Sequence, residues 1–277
     1  MEKNIAVSFD NVSFSYSDVQ VLENASFHIH QGEFAAMVGP NGSGKTTVLK
    51  LLFGLEKPCK GTINIFDTNK TAGGIPSRKM SRENGLRKSV SYISQQMPSD
   101  DMFPITARDV VRMGLLHPFR GYMNTGAAVK EALEQTGISD LAEKPYSSLS
   151  GGQKRRALVA RALAAKPEFL VLDEPAANMD SESEAQLYRT LGAYKGKITI
   201  LIVTHNTEYV TSLTDRVLCL GENRKIVQHR TESSSAARHG GSAHDARVLH
   251  EENVICNDCN TGVHSGFAVN TEDKINA

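Results

Sequence analysis

Gly39, Gly44, Lys45 and Thr46 stand in the order Gly-x-x-x-x-Gly-Lys-Thr, and those residue types at that spacing suit the capture of a phosphate chain. Several backbone N–H groups must point inward together at phosphate oxygens, which glycines permit and Cβ atoms obstruct. The stretch Gly39, Pro40, Asn41, Gly42, Ser43, Gly44, Lys45, Thr46 and Thr47 is therefore the candidate cradle. In such a loop the Lys45 ammonium reaches the β and γ phosphates and the Thr46 hydroxyl ligates Mg²⁺. A second candidate is the pair Asp173 and Glu174, which closes the apolar run Phe169-Leu170-Val171-Leu172. Carboxylates at the carboxyl end of a buried strand suit phosphoryl chemistry, with Asp173 beside the magnesium ion and Glu174 polarising water as general base.

Leu149-Ser150-Gly151-Gly152-Gln153 is a second place where Ser and Gly open a helix, and it reads as a second anion site. Both sites surround one γ-phosphate only if a second copy of the chain brings its own Ser150, Gly151, Gly152 and Gln153 across. A two-fold dimer with two shared sites satisfies that condition. Near the end of the chain, Cys256 and Cys259 form a Cys-x-x-Cys pair close to His250 and His264. Two thiolates and two imidazoles complete a tetrahedral metal site, and that donor set favours zinc over manganese.

These residues need elements to position them. Val12, Phe14 and Tyr16 alternate, as do Ala25, Phe27 and Ile29, and predict half-buried antiparallel strands. Phe34 to Val38 is an apolar strand leading into the glycine loop, and Val48, Leu49, Leu51 and Leu52 continue from it at helical spacing. The polar stretch from Thr68 to Lys88 reads as a loop and Val90 to Ile93 as a strand. Helical periodicity then dominates, through Val110, Val111 and Met113, through Val129, Ala132 and Leu133, and through Leu158, Val159, Ala162 and Leu163. Phe169–Leu172 and Ile198–Val203 are continuous apolar runs, the pattern of strands covered on both faces. Residues 231–277 shift to Ser, Gly, His and Ala and read as an appendage to a unit spanning 1–230.

The chain has 277 residues, with thirty-one Lys and Arg against thirty-one Asp and Glu. That balance argues against a basic surface built for nucleic acid, and no nucleic-acid partner is expected. No run approaches the ~18 apolar residues of a membrane span. The opening Met1-Glu2-Lys3-Asn4-Ile5 lacks the apolar stretch of a leader, so cytosolic residence is expected. Four Cys in a chain of this length imply reduced thiols, not a disulfide framework.

In their order and spacing the glycine loop, the Leu-Ser-Gly-Gly-Gln segment and the Asp-Glu pair resemble an ABC transporter ATP-binding subunit, from about Val7 to Gln228. The resemblance implies an α/β fold: a P-loop NTPase sheet core with an antiparallel β subdomain and an inserted α-helical subdomain at about 97–166. It implies ATP and Mg²⁺ as ligands and a homodimer as the working unit. By the same resemblance Tyr16 stacks on adenine, Gln95 contacts Mg²⁺ and the attacking water, Asp180 belongs to the D-loop, and His205 bonds the γ-phosphate. Asn178 and Met179 precede Asp180 where small and leucine residues are usual, and Ser94 stands where proline is usual before the glutamine.

The segment Phe103-Pro104-Ile105-Thr106-Ala107-Arg108-Asp109-Val110-Val111-Arg112-Met113-Gly114, with Lys144-Pro145-Tyr146, is similar to the metal-importer branch of that family. This implies a motor at the cytoplasmic face of a bacterial membrane, docked on an integral membrane permease between Gln95 and about His117. An extracytoplasmic metal-binding protein would feed the permease. Zinc is the favoured cargo; manganese, chelated iron, or a soluble non-transport ATPase role stay open. Repair-type relatives carry long coiled coils between the glycine loop and Ser150, and no sustained heptads intervene here.

Overall fold

The computed structural model describes residues 4–66, 68–71, 90–95, 104–116, 125–177, 179–205, 213–221 and 224–230. Among them, two sheets form. Strands β1 (Ile5–Tyr16), β2 (Val19–His30), β4 (Lys60–Ile65) and β5 (Thr68–Thr71) make an antiparallel sheet in the order β2-β1-β4-β5. Strands β3 (Phe34–Val38), β6 (Val90–Ile93), β7 (Phe169–Asp173), β8 (Thr199–Thr204), β9 (Arg216–Leu220) and β10 (Ile226–Arg230) make the second, ordered β10-β9-β3-β8-β7-β6. Its strands run parallel except β10, which returns antiparallel to β9. Both the antiparallel sheet and the parallel core agree with the fold class expected.

Strands β7 and β8 are buried along their whole length, and the alternation of their side chains shows why both needed continuous apolar runs. Phe169, Val171, Leu201 and Val203 pack in one cluster with Leu49 and Leu52 of α1 (Lys45–Leu52) and with Phe9 and Ile63 of the antiparallel sheet. Leu170, Leu172, Ile200 and Ile202 face the opposite way, onto Leu158, Val159 and Leu163 of α4 (Gly151–Ala164) and Leu187 and Leu191 of α5 (Ser181–Gly192). Helix α4 also turns Ala157, Ala160 and Ala164 toward Val111 of α2 (Ala107–Met113) and Val129 and Leu133 of α3 (Thr125–Gln135). It is thus the shared wall between the sheet and the helical layer.

Two details depart from the sequence reading. Thr68–Thr71, expected as loop, is an edge strand paired with Ile65 through Thr62. Pairing with β4 overrides the missing apolar alternation. Met113 completes the turn of α2 as expected but lies 42% exposed, off the buried face.

One ionic cluster sits inside the fold. Arg216 donates through Nε and Nη2 to Glu33 at 3.1 and 2.9 Å, and His30 Nδ1 lies 3.1 Å from the same carboxylate. All three residues are buried. Burial alone would raise the Glu33 carboxyl, but the bonds from His30 and Arg216 outweigh it and hold it well below the usual carboxylate range. The cluster ties the turn between β2 and β3 to the start of β9.

Candidate active site

The register of the second sheet brings the chemical residues to one edge. Val38 pairs with Thr204, Asp173 with Val203, and Ile93 with Leu172, so the loops after β3, β8, β7 and β6 leave the sheet side by side. This is the carboxyl edge, where parallel sheets present ligand sites.

The loop after β3 is shaped for a backbone cradle. A Cβ on Gly39 would lie 2.4 Å from the Leu220 carbonyl oxygen, and Gly44 takes φ of +106° as the cap residue of α1. Gly44 offers no side-chain bond to the helix, so no cap residue shields the amide end of α1. The Ser43 hydroxyl is buried without a hydrogen-bond partner among the described residues. Lys45 is buried too, and its ammonium donates to the carbonyls of Gly39 at 2.7 Å and Pro40 at 3.0 Å. Thr46 is exposed at the helix start while Thr47 is buried. A nest of amides, an orphaned hydroxyl and a cation resting on the loop's own carbonyls fit a phosphate chain.

Asp173 and Glu174 are each 7% exposed. Glu174 takes a left-handed backbone, φ +46°, and its N–H donates to the Val203 carbonyl at 2.8 Å. Its carboxylate accepts from the Thr204 hydroxyl at 3.2 Å and lies 2.9 Å from His205 Nδ1. The Tyr92 hydroxyl donates to Asp173 Oδ2 at 3.4 Å. Burial pushes the Asp173 carboxyl above the usual range, with the neighbouring Glu174 adding to it. Burial and the Asp173 charge push the Tyr92 phenol up to about 12. Gln95 is exposed two residues beyond β6 on the same edge. Thr46, Asp173 and Gln95 each carry a side-chain oxygen, the donor type that Mg²⁺ prefers.

Tyr16 ends β1 with its ring 38% exposed, and Lys50 Nζ donates to its hydroxyl at 3.2 Å and lies 5.4 Å from the ring centroid. Ser150 and Gln153 close on each other: the Ser150 hydroxyl accepts from the Gln153 N–H at 3.3 Å, and Gln153 Oε1 accepts from the Ser150 N–H at 3.0 Å. Gly151 and Gly152 begin α4 inside that capping box. Asp180 caps α5 by accepting from the Ser183 N–H at 2.9 Å, and those bonds hold its carboxyl below the usual range. His250, Cys256, Cys259 and His264 lie outside the described residues, as does Asn178. Among the described residues Cys59 and Cys219 are free thiols, and no group of three or more His, Cys, Asp or Glu is placed to hold a metal ion. No helix among those residues is long and apolar enough to cross a membrane.

Three residues of the site escaped the sequence reading: Tyr92, Thr204 and Arg155, the last buried beneath the Asp173-Glu174 turn. Arg155 had a readable signal, since it shares a helical face with Leu158, Val159 and Ala162, three, four and seven residues further on.

Comparison with known proteins places this geometry. The "ABC transporter" family profile matches residues 22–177. A "Probable metal transport system ATP-binding protein" of Chlamydia trachomatis is 33% identical over 81% of this chain and 92% of its own length. The zinc import ATP-binding protein ZnuC of Alkalilimnicola ehrlichii is 34% identical over 79% of this chain and 75% of its own. The energy-coupling factor transporter ATP-binding protein EcfA1 of Mycoplasma pneumoniae is 36% identical over 82% and 79%. Among solved structures, cbiO1 of Clostridium perfringens, part of the cbiONQ transporter complex, aligns with a TM-score of 0.68 at 29% identity, covering 82% of this chain and 88% of that one. The dimeric bacterial cassette MJ0796 aligns at 0.68 and 25% identity, covering 81% and 98%. The phosphate loop, the buried carboxylate pair and the Ser150 helix start thus stand in a known setting: the chain belongs to the ABC transporter family.

Proposed function

We propose that this chain is the ATP-hydrolysing motor subunit of a bacterial importer for divalent metal ions, with zinc the best-supported cargo. The observation that carries the chemistry is the convergence on one sheet edge of the Lys45 loop, the Asp173-Glu174 turn and His205, with Glu174 held on both carboxylate oxygens. The support for the cargo is the naming of relatives for metal transport and zinc import.

In this reading backbone N–H groups between Asn41 and Thr46 and the Lys45 ammonium bind the phosphate chain, Lys45 exchanging two carbonyl partners for phosphate oxygens. Tyr16 offers its partly exposed ring to the adenine. Mg²⁺, when bound, supplies positive charge to the phosphoryl oxygens, held by Thr46, Asp173 and Gln95. Glu174 takes the proton from the attacking water, and His205 and Thr204 keep its carboxylate aimed. A second copy contributes Ser150, Gly151, Gly152 and Gln153 to the γ-phosphate, with Asp180 beside the shared boundary, so the working unit is a homodimer. The existence of a dimeric relative supports this arrangement. The motor works peripherally at the cytoplasmic face of the membrane on an integral permease, which an extracytoplasmic metal-binding protein supplies. Residues 1–230 form the cassette, with 97–166 as its helical subdomain; residues 231–277 are an appendage carrying a zinc site at Cys256, Cys259, His250 and His264.

The similarity to an energy-coupling factor subunit favours a second reading, in which the same motor drives a different class of permease. One experiment separates them. The chain is co-expressed with candidate permeases, the complex that copurifies is placed in vesicles, and ATP-driven uptake of radioactive zinc, manganese and iron is compared. Zinc uptake abolished by Glu174→Gln supports the proposal; ATP hydrolysis with no metal uptake favours the second reading.

A further inference from the structure

Arg155 is the middle of three consecutive basic residues, Lys154-Arg155-Arg156, a residue type that is mostly exposed in folded proteins. It is instead 3% exposed, and four of its five N–H donors are engaged. Nε donates to the Pro175 carbonyl at 3.0 Å, and Nη2 donates to the carbonyls of Asp173 at 2.7 Å and Glu174 at 2.8 Å. Nη1 donates to the Ser94 carbonyl at 2.5 Å. A guanidinium is costly to remove from water, and this one is compensated by a fork of backbone oxygens instead of a bonded carboxylate. The acceptors come from two chain segments. Three are successive residues running from the last of β7 into the turn after it, and the fourth immediately precedes Gln95.

We infer that Arg155 is a positioning residue for the hydrolytic centre, fixing the turn that aims the Glu174 carboxylate and holding the Gln95 loop in register with it. The inference rests on the reading of Glu174 as the general base. Its physical basis is the left-handed backbone at Glu174, a conformation that a non-glycine residue keeps only when its surroundings over-determine it. The Glu174 N–H is fixed by Val203, and the carbonyls on either side and at Glu174 itself are fixed by Arg155. Held at both ends, the turn has one orientation, and the side chain emerges toward Thr204 and His205. A lysine at this position keeps the charge but presents a single nitrogen, which cannot span Ser94 and the turn in the same fixed geometry.

The test is Arg155→Lys in the full chain, with ATP stoichiometry and affinity read by calorimetry and single-turnover hydrolysis read per bound ATP. The expected result is a rate about 10²-fold lower, the scale of a misplaced catalytic group, with affinity and stoichiometry unchanged. In a Glu174→Gln background the same substitution should lower the residual rate by less than about threefold, because residues acting through one group are not additive. Equal factors in the two backgrounds, or a loss accounted for by fewer ATP sites, overturn the inference. If Arg155→Lys does not fold, Arg155→Gln, which leaves no cation to bury, is measured in the same way. A Glu174→Gln chain that hydrolyses ATP at the parent rate overturns the functional reading and this inference together. An impaired Glu174→Gln beside a parent-like Arg155→Lys overturns the inference alone.

Discussion

His205 Nδ1 lies 2.9 Å from Oε1 of Glu174. With the Thr204 hydroxyl on the other oxygen, the end of β8 grips the carboxylate at the end of β7, and the alignment of Asp173 with Val203 sets that grip. Glu174→Gln keeps the size of the side chain and the phosphate loop intact while removing the proton acceptor. Turnover is expected to fall ~10² to 10⁴-fold with ATP still bound, leaving an ATP-loaded dimer that gel filtration detects. Phosphate release at the parent rate would assign the base to another group.

Lys45 rests on the Gly39 and Pro40 carbonyls, so its replacement removes a cation from the loop without opening the apolar core. Lys45→Ala is expected to weaken ATP binding about 10- to 100-fold, the equivalent of one lost charged hydrogen bond. Titration with a fluorescent nucleotide measures it. An affinity within twofold of the parent would remove Lys45 from the phosphate site.

The Glu33 cluster gives a pH signature. Its folded carboxyl titrates well below the ordinary glutamate value of about 4.3, so its stabilising effect is fully present above that value and drains away as pH falls below it. Glu33→Gln leaves Arg216 buried beside a neutral amide and should cost about 3–5 kcal/mol near pH 7. Chemical unfolding of parent and variant between pH 7 and pH 3 is expected to show the gap narrowing toward acid. A constant gap would contradict the assignment.

Leu116, 78% exposed just beyond α2, lies in the stretch expected to meet the permease. Leu116→Glu should leave thermal stability and the isolated chain's ATPase unchanged, since exposed substitutions seldom exceed about 0.5 kcal/mol. It should lower recovery of the permease in a pull-down. Full recovery with normal uptake would place the docking surface elsewhere.

The strands that carry the chemistry were legible because burial on both faces forces continuous apolar runs, as at Phe169–Leu172, and because the glycine loop joins such a run to a helix. The edge strand Thr68–Thr71 was not legible, since its ladder partner and not its composition makes it a strand. The site was legible where a residue type announces its chemistry, as at Lys45 and Glu174. It was illegible where the partner is backbone: a guanidinium reading carbonyl oxygens leaves no complementary residue type in the sequence to betray it. Tyr92 was hidden for a related reason, because its pairing with Asp173 spans 81 positions and depends on the neighbouring alignment of β6 and β7.

That same choice of acceptor bears on which substitutions this junction itself can feel. Every residue except proline has one backbone N–H, but every residue including proline keeps its carbonyl. The fork of Arg155 therefore tolerates any side chain at 94, and the serine found there in place of the usual proline loses it nothing. On the acceptor side this junction asks only for carbonyl oxygens, while on the donor side it asks for one particular side chain, that of Arg155.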